Sequence, residues 1–269
     1  MQAVETLPVT EPYVLADYDV RGVVRLTLNR PRQFNALSEE MLAALQAELD
    51  AVAANPQARV VVIAGQGKAF CAGHDLKQMR ANPSQAYYED LFARCSRMMM
   101  TIQRLPQPVI ARVHGIATAA GCQLVAMCDL AVAAEEATFA VSGISVGLFC
   151  STPAVALSRN IGRKAAFEML VTGDFIDART AQTLGLVNRV VPSADLDAEV
   201  QRLADAIIAR PAEAIALGKS LFYRQIETGI EEAYRLAGET MACNMMEPCA
   251  QEGVDAFIEK RAPAWAARK

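Results

Sequence analysis

Histidine and tryptophan are scarce in this chain: two of the first and one of the second in 269 residues. With only His74 and His114, a histidine-rich metal site is excluded and no metal is expected. The seven cysteines form no CxxC pair. Cys71, Cys95, Cys122, Cys128 and Cys150 sit among apolar or small residues and read as reduced core thiols. No run of eighteen apolar residues occurs, so no membrane-spanning helix or membrane insertion is expected. No basic run or aromatic-and-basic patch occurs, and the net charge is −4, which argues against a nucleic-acid partner. The stretch Met1 to Asp19 carries Glu5, Glu11, Asp17 and Asp19 and no lysine or arginine. It lacks the order of a signal peptide and the arginines of a transit peptide, so a soluble cytoplasmic protein is expected.

What is present is apolar. Residues of that kind make up 53% of the chain, enough for a large core and a buried subunit interface. A chain of this length buries about three-quarters of its unfolded surface. The beginning reads as two short strands, Tyr13–Tyr18 and Val23–Leu28, with Arg21-Gly22 as the turn. Ser38 caps a helix that places Glu39 and Glu40 in its first turn and Met41, Leu42, Leu45 and Leu49 on its buried stripe. Arg59–Ala64 and Val109–Val113 read as strands buried on both faces. Residues 85–104 form a helix that Pro106 and Pro108 end, and a short helix runs from near Ala119 to Cys128. Leu130–Ala134 and Thr138–Phe139 read as further strands. The order strand, loop, helix predicts an α/β fold with a parallel layer. From residue 195 onward the pattern becomes helical, over 195–210, 212–227, 230–247 and 251–260. The chain therefore divides into residues 1–194, an α/β core, and 195–269, a helical region suited to oligomerisation.

Two loops built from small residues stand out. Ala69–Lys77 follows the strand at residues 59–64, and Gly115–Leu124 follows the strand at 109–113. Small residues let a ligand approach the backbone closely. Together the two loops can aim two main-chain N–H groups at one carbonyl oxygen, forming an oxyanion hole.

The chain resembles the crotonase family, the enoyl-CoA hydratase/isomerase group, over nearly its whole length. The likeness rests on Leu28–Pro31 with Phe34–Leu37, on Ala69–Leu76, on Pro108–Asp129, on Thr172–Asp174 with Ala181–Val187, and on Gln251–Arg261. Ala120–Ala126 and Val146–Pro153 resemble most closely the branch of that family called enoyl-CoA hydratase domain-containing protein 3. The resemblance implies a spiral of ββα units with a C-terminal helical region, assembled as a trimer or a dimer of trimers. It implies an acyl-CoA thioester as ligand, with coenzyme A as part of the substrate and no separate cofactor.

Carried onto this sequence, the oxyanion donors are the backbone N–H groups of His74 and Ala120. The two catalytic carboxylates of the family fall at Gln123 and Gly143, and neither is an acid here. Gln123 can hydrogen-bond but cannot act as a base near neutral pH. Gly143 offers no side chain. Each missing acid–base role costs roughly 10²–10⁴ in rate, so weak or absent hydration of crotonyl-CoA is expected. The resemblance implies coenzyme A contacts at Arg30, Arg32, Phe34, Ala36, Ala72, Asp75, Leu76, Lys77 and Gly121, and at Lys260 from an adjoining subunit. Cys150 and Ser151 are expected in a polar turn near the acyl pocket, and His114 as a structural histidine. Met79, Met98, Met99 and Phe149 are further apolar residues that can shape such a pocket. Three activities fit: a hydratase/isomerase-group enzyme with altered proton chemistry, such as a decarboxylase or carbon–carbon lyase; an acyl-CoA-binding or regulatory protein; and an ordinary hydratase using acids elsewhere.

Overall fold

Val60 and Val62 point to one side of a strand, Val61 and Ile63 to the other, and all four are buried. This two-residue alternation organises the molecule, because each side feeds a separate apolar cluster. The computed structural model describes residues 11–267. Residues 1–10, on which much of the N-terminal leader reading rests, lie outside the described residues.

The first hairpin is β1 (Val14–Tyr18) paired antiparallel with β2 (Val23–Leu28). Helix α1 (Glu39–Ala54) follows, and the Ser38 hydroxyl accepts the Met41 N–H as its cap. Three pairs of strands then repeat: β3 (Val60–Gly65) with β4 (Ala69–Cys71), β5 (Val109–Val113) with β6 (Ile116–Thr118), and β7 (Leu130–Ala134) with β8 (Thr138–Ala140). The first strand of each pair joins a six-stranded sheet, in the order β1-β2-β3-β5-β7-β10, where β10 is Arg189–Val191. The second joins a four-stranded sheet, β4-β6-β8-β9, where β9 is Ile176–Asp177. From β2 to β10 the first sheet is parallel, and β9 is antiparallel to β8. Helices close each turn: α2 (Leu76–Ala81) and α3 (Gln85–Arg104), then α4 (Ala120–Met127), then α5 (Ser151–Asn160), α6 (Arg163–Thr172) and α7 (Ala178–Leu184). The result is the expected spiral of ββα units.

Parallel strands covered on both faces read as unbroken apolar runs, which explains β3 and β5. Val61, Ile63, Val109 and Ala111 belong to the main core with α1 and α3. Val60, Val62, Ile110 and Val132 belong to a second cluster, sealed by Leu196, Val200 and Ala204 of α8 (Leu196–Ile208). The division expected after residue 194 thus falls just before a helix that packs on the six-stranded sheet. Beyond it lie α9 (Ala212–Gln225), α10 (Ile230–Met246) and α11 (Pro248–Ile258). These helices leave Tyr234, Met241, Met246, Phe257 and Ile258 largely exposed.

A buried ion pair fastens α9 to the core. Lys219 donates to Asp129 Oδ2 at 2.6 Å and to the carbonyls of Ile102 and Gln107. Tyr223 donates to Asp129 Oδ1, and the Val109 N–H to Oδ2. The Asp129 carboxylate thus accepts three hydrogen bonds beside its counter-charge, the kind of pairing that a buried charge requires.

Two sequence expectations are corrected. The last helix begins at Pro248 rather than 251, because proline at the first helical position sacrifices no needed N–H. Ser151 opens α5 instead of lying in a turn, since Pro153 in the first helical turn is compatible with a helix start. Helices α2, α5, α6 and α7 and strands β4, β6, β9 and β10 were not legible as separate elements. They are short, and tertiary packing rather than periodicity defines them.

Candidate active site

Asn35 ties the segment around residues 30–37 to the start of the first small-residue loop. It is fully buried with φ +54°. Its amide nitrogen donates to the carbonyls of Gln66, Ala69 and Phe70, and its oxygen accepts the Arg30 N–H. Around this latch, the Ala72 N–H donates to Phe34 O at 3.0 Å and the Leu37 N–H to Gly73 O at 2.7 Å. Segment 34–37 and segment 72–74 therefore run side by side. Sequence reasoning passed over Asn35; an asparagine that tolerates positive φ beside the small-residue loop was the available signal.

The second loop meets the first at a glycine. Gly73 has φ +89°, and a Cβ there would lie 2.8 Å from Ala119 Cβ and 3.1 Å from Ala120 N. Only glycine allows that approach, and it sets the residue before Ala120 against the residue before His74. Ala119 takes φ +50°, ψ −123°, a costly backbone for alanine, and turns the chain from β6 into α4. Gly121 packs equally close: a Cβ there would fall 2.0 Å from Cys71 O. Its place is thus helix-to-strand contact beneath the site. Among the described residues, the N–H groups of His74 and Ala120 are not donated to any protein acceptor. The Ala120 N–H sits in the first turn of α4, where the helix dipole adds positive potential.

A pocket of about 240 Å³ opens at this junction, lined by Ala72, His74, Ala119, Ala120 and Gly143. Leu76, Met79, Phe92, Val146 and Phe149 supply apolar wall. Of the methionines singled out from sequence, Met79 lines it, whereas Met98 and Met99 are core. No aspartate or glutamate is among the residues that line it. Its polar side chains are neutral: Ser142, Cys150, Ser151 and Thr152, beside His74.

Four of these five have an identifiable state. His74 Nδ1 lies 3.3 Å from Leu37 O, its ring packs edge-on against Phe92, and Nε2 is enclosed without a partner among the described residues. Burial pushes its imidazole below the ordinary value, so the ring is neutral at pH 7 and its proton sits on Nδ1. Burial pushes the Cys150 thiol up, which disfavours a thiolate. The Ser151 hydroxyl donates to Phe149 O at 3.3 Å. The Ser142 hydroxyl is 2.8 Å from that of Thr118.

The two positions at which the family's acids are expected differ in setting. Gly143 lines the pocket in a 3-10 turn, Ser142–Val146. A Cβ there would meet Leu148 O at 2.5 Å and Cys150 Sγ at 2.7 Å. Gln123 lies one turn into α4, is 5% exposed and is not among the lining residues; its Oε1 is enclosed and unpartnered among the described residues.

The expected coenzyme contacts scatter around this centre. Leu76 and Ala72 line the pocket. Phe34 is half-exposed in the adjoining loop with φ +51°, and Ala36 is half-buried beside it. Asp75 caps α2, accepting the N–H groups of Lys77 and Gln78. Lys77 and Arg32 are exposed. The Arg30 guanidinium instead donates to the carbonyls of Glu11, Pro12 and Asn29 and lies over the Tyr13 ring. That engagement gives it a structural part in holding the segment before β1. Lys260 is exposed after α11 and not among the pocket residues. His114 Nε2 is 2.8 Å from Gly67 O, a structural contact. Among the described residues no cluster of three or more His, Cys, Asp or Glu is arranged to hold a metal ion. No helix there is long and apolar enough to cross a membrane.

Comparison with known proteins gives three findings. The family described as "Enoyl-CoA hydratase/isomerase" matches residues 19–268. A Xenopus laevis protein, "Enoyl-CoA hydratase domain-containing protein 3, mitochondrial", is 47% identical over 244 residues, 91% of this chain and 83% of its own. Among solved structures, an enoyl-CoA hydratase from Mycobacterium smegmatis is 68% identical with a TM-score of 0.94, covering 95% of this chain and 99% of its own. Human enoyl-CoA hydratase domain-containing protein 3 is 42% identical with a TM-score of 0.91, over 94% of this chain and all of its own. The frog, rat, mouse and human relatives are named mitochondrial. Those names overturn the cytoplasmic expectation. An acidic stretch disfavours some leader types, but composition alone does not specify a compartment.

Proposed function

The chain belongs to the enoyl-CoA hydratase/isomerase family, and on that premise we propose that it binds an acyl-CoA thioester with the carbonyl oxygen between the N–H groups of His74 and Ala120. What supports this reading is that His74 and Ala120 both line a pocket without a carboxylate and that the residues before them, Gly73 and Ala119, pack against each other. Such donors stabilise an enolate-like oxygen by about 3–4 kcal/mol each when water is excluded. Helix α4 reinforces the Ala120 donor through its dipole.

Hydration of a carbon–carbon double bond needs more than this. A water must lose a proton and the α-carbon must gain one. Gln123 and Gly143 supply neither function, His74 is neutral with Nε2 enclosed, and Cys150 is a protonated thiol. Hydratase turnover is therefore lost or slight. Decarboxylation or carbon–carbon cleavage of an acyl-CoA remains compatible, because the substrate itself releases the electron pair onto the thioester. Ligand binding without turnover is the other outcome of the same site.

Arg32 and Lys77 are the exposed cations suited to the coenzyme phosphates. Lys260 of an adjoining subunit could join them in a trimer or dimer of trimers, an assembly supported by the exposed apolar residues of α10 and α11. Light scattering tests the assembly. A thermal-shift and turnover panel over crotonyl-, malonyl- and β-keto-acyl-CoAs tests the activity. Stabilisation by acyl-CoA with crotonyl-CoA hydration at background is the expected result. Hydration at rates typical of the family's enzymes would overturn the proposal.

A further inference from the structure

The loop that leaves β2 is held from outside the pocket as well as from within. Its base is Arg30. The Arg30 N–H donates to Asn35 Oδ1 at 2.9 Å, and the Arg30 carbonyl accepts the Asn35 N–H at 3.0 Å. These two bonds close a neck, and Pro31–Gln33 form a 3-10 turn beyond it. On one side the loop is tied to the pocket wall, because Phe34 O accepts the Ala72 N–H and Gly73 O accepts the Leu37 N–H. On the other side lies the chain that enters β1.

Sheet pairing brings that chain into place. β1 is an edge strand, paired with β2 from Val14↔Leu28 onward. The ladder runs on beyond the strand end, where the Asn29 N–H donates to Tyr13 O at 2.8 Å. Residues 11–13 therefore pass beside Arg30. The Asn29 side-chain amide donates to Pro12 O at 3.0 Å. Arg30 Nη1 donates to Pro12 O at 3.1 Å and Nη2 to Glu11 O at 2.6 Å. The guanidinium carbon lies 3.6 Å from the centre of the Tyr13 ring. Arginine suits this set because its rigid fork meets two carbonyls while its flat face covers a ring, which a lysine ammonium does not do. The acceptors are main-chain carbonyls, so the grip is indifferent to the side chains at positions 11 and 12.

We propose that residues 11–13 form a strap that sets the loop at 31–36, and that Arg30 is a positioning residue for acyl-CoA binding instead of a contact to the coenzyme phosphates. This rests on the acyl-CoA reading of the site. A loop held in place before the ligand arrives adds no ordering cost to binding, whereas a loosened loop must be ordered by the ligand. Fixing the backbone of a single residue is worth about five- to thirtyfold in affinity. The looseness also reaches the donor loop, because Leu37 and Phe34 hold Gly73 and Ala72, the two residues before His74.

The test uses the full chain, calorimetric titration with butyryl-CoA at two salt concentrations, and hydrogen exchange of the free protein. Arg30→Lys and Arg30→Ala are both expected to weaken binding roughly five- to tenfold, with the salt dependence of Kd and the melting temperature nearly unchanged. Amides of residues 31–36 should exchange faster in Arg30→Lys than in the wild type. Tyr13→Leu, which keeps an apolar side chain, should weaken binding about two- to fivefold, and should add nothing to Arg30→Ala. It also carries the test if Arg30→Ala fails to fold. Arg30→Lys binding like the wild type, with Arg30→Ala weaker and less salt-dependent, makes the residue a phosphate contact and overturns the strap. Unchanged affinity in every variant, unchanged exchange at 31–36, or additive losses in the double variant also overturns it. Each of these leaves the acyl-CoA site standing. Absence of butyryl-CoA binding by the wild type overturns the acyl-CoA reading and this inference with it.

Discussion

Cys150 occupies the space that a side chain on Gly143 would need: a Cβ built on the glycine lies 2.7 Å from the cysteine sulfur. The Leu148 carbonyl stands on the same side at 2.5 Å. The proposed loss of an acid at position 143 would therefore be more than a deleted side chain. The surrounding backbone has closed over the place where it would project.

Restoring the acids should not restore hydration. The variant Gln123→Glu with Gly143→Glu is expected to leave crotonyl-CoA hydration at background and to destabilise the fold by about 1–3 kcal/mol through overpacking. Adding Cys150→Ala relieves the sulfur contact but not the carbonyl one, so only part of the stability returns. Urea denaturation and a spectrophotometric hydration assay check both points. Robust hydration by the double variant would show that the turn opens readily.

Gly121→Ala tests how tightly α4 is seated. Its Cβ would fall 2.0 Å from Cys71 O, a backbone atom that cannot rotate away. A loss of about 3 kcal/mol or more is expected, at the upper end of overpacking effects, with weaker acyl-CoA binding because Ala120 moves with the helix. A loss below about 0.5 kcal/mol would contradict this packing.

Ala119→Gly should act in the opposite direction. The alanine holds φ +50°, and relief of that strain outweighs the added freedom of the unfolded chain. A gain of about 1 kcal/mol in chemical denaturation is expected, with acyl-CoA affinity retained.

Asp129→Ala should cost about 3–5 kcal/mol, because it leaves Lys219 buried without its counter-charge and strips Tyr223 and the Val109 N–H of their acceptor. Replacing Asp129 and Lys219 together by apolar residues should cost less than the single change. A double-mutant cycle by denaturation measures the coupling.

Stability should fall as the pH drops below about 6.5. Burial holds His74 and His114 below the ordinary imidazole value, so the unfolded chain takes up these protons first. The contribution is complete above the unfolded value, is lost as pH falls toward the folded one, and then levels. The carboxylates of Asp197 and Glu199, paired with arginines and held at about 2, act only at lower pH. Urea titrations between about pH 7.5 and 5.5 check the slope, and His74→Gln should flatten it in part. A slope unchanged by that substitution would contradict the buried, neutral His74.

Much of the architecture was legible because long elements carry periodic signals. The helix at 85–104 and the strands at 109–113 and 130–134 were read at their observed bounds. The short helices after Asp75, Cys150, Gly162 and Asp177 were not, since six to ten residues fill fewer than three turns of pattern. The same holds at the site. Small-residue loops pointed to backbone donors, whereas the bonds made across the chain by Asn35 and by the Ser142–Thr118 pair were not legible. Their partners lie 31 to 35 and 24 residues away in the chain.

The sequence by itself determined the alternation that sends valines to both faces of a parallel sheet, the glycines at the ligand loops, and the lack of an acid at positions 123 and 143. Only the tertiary structure decided that Gly73 abuts Ala119, that Cys150 fills the space over Gly143, that Gln123 is enclosed, and that Arg30 is tied to backbone carbonyls. The reason is physical. Periodicity and residue type act locally along the chain, whereas close contact, burial and the pairing of distant polar groups are set when separate turns of the spiral pack together.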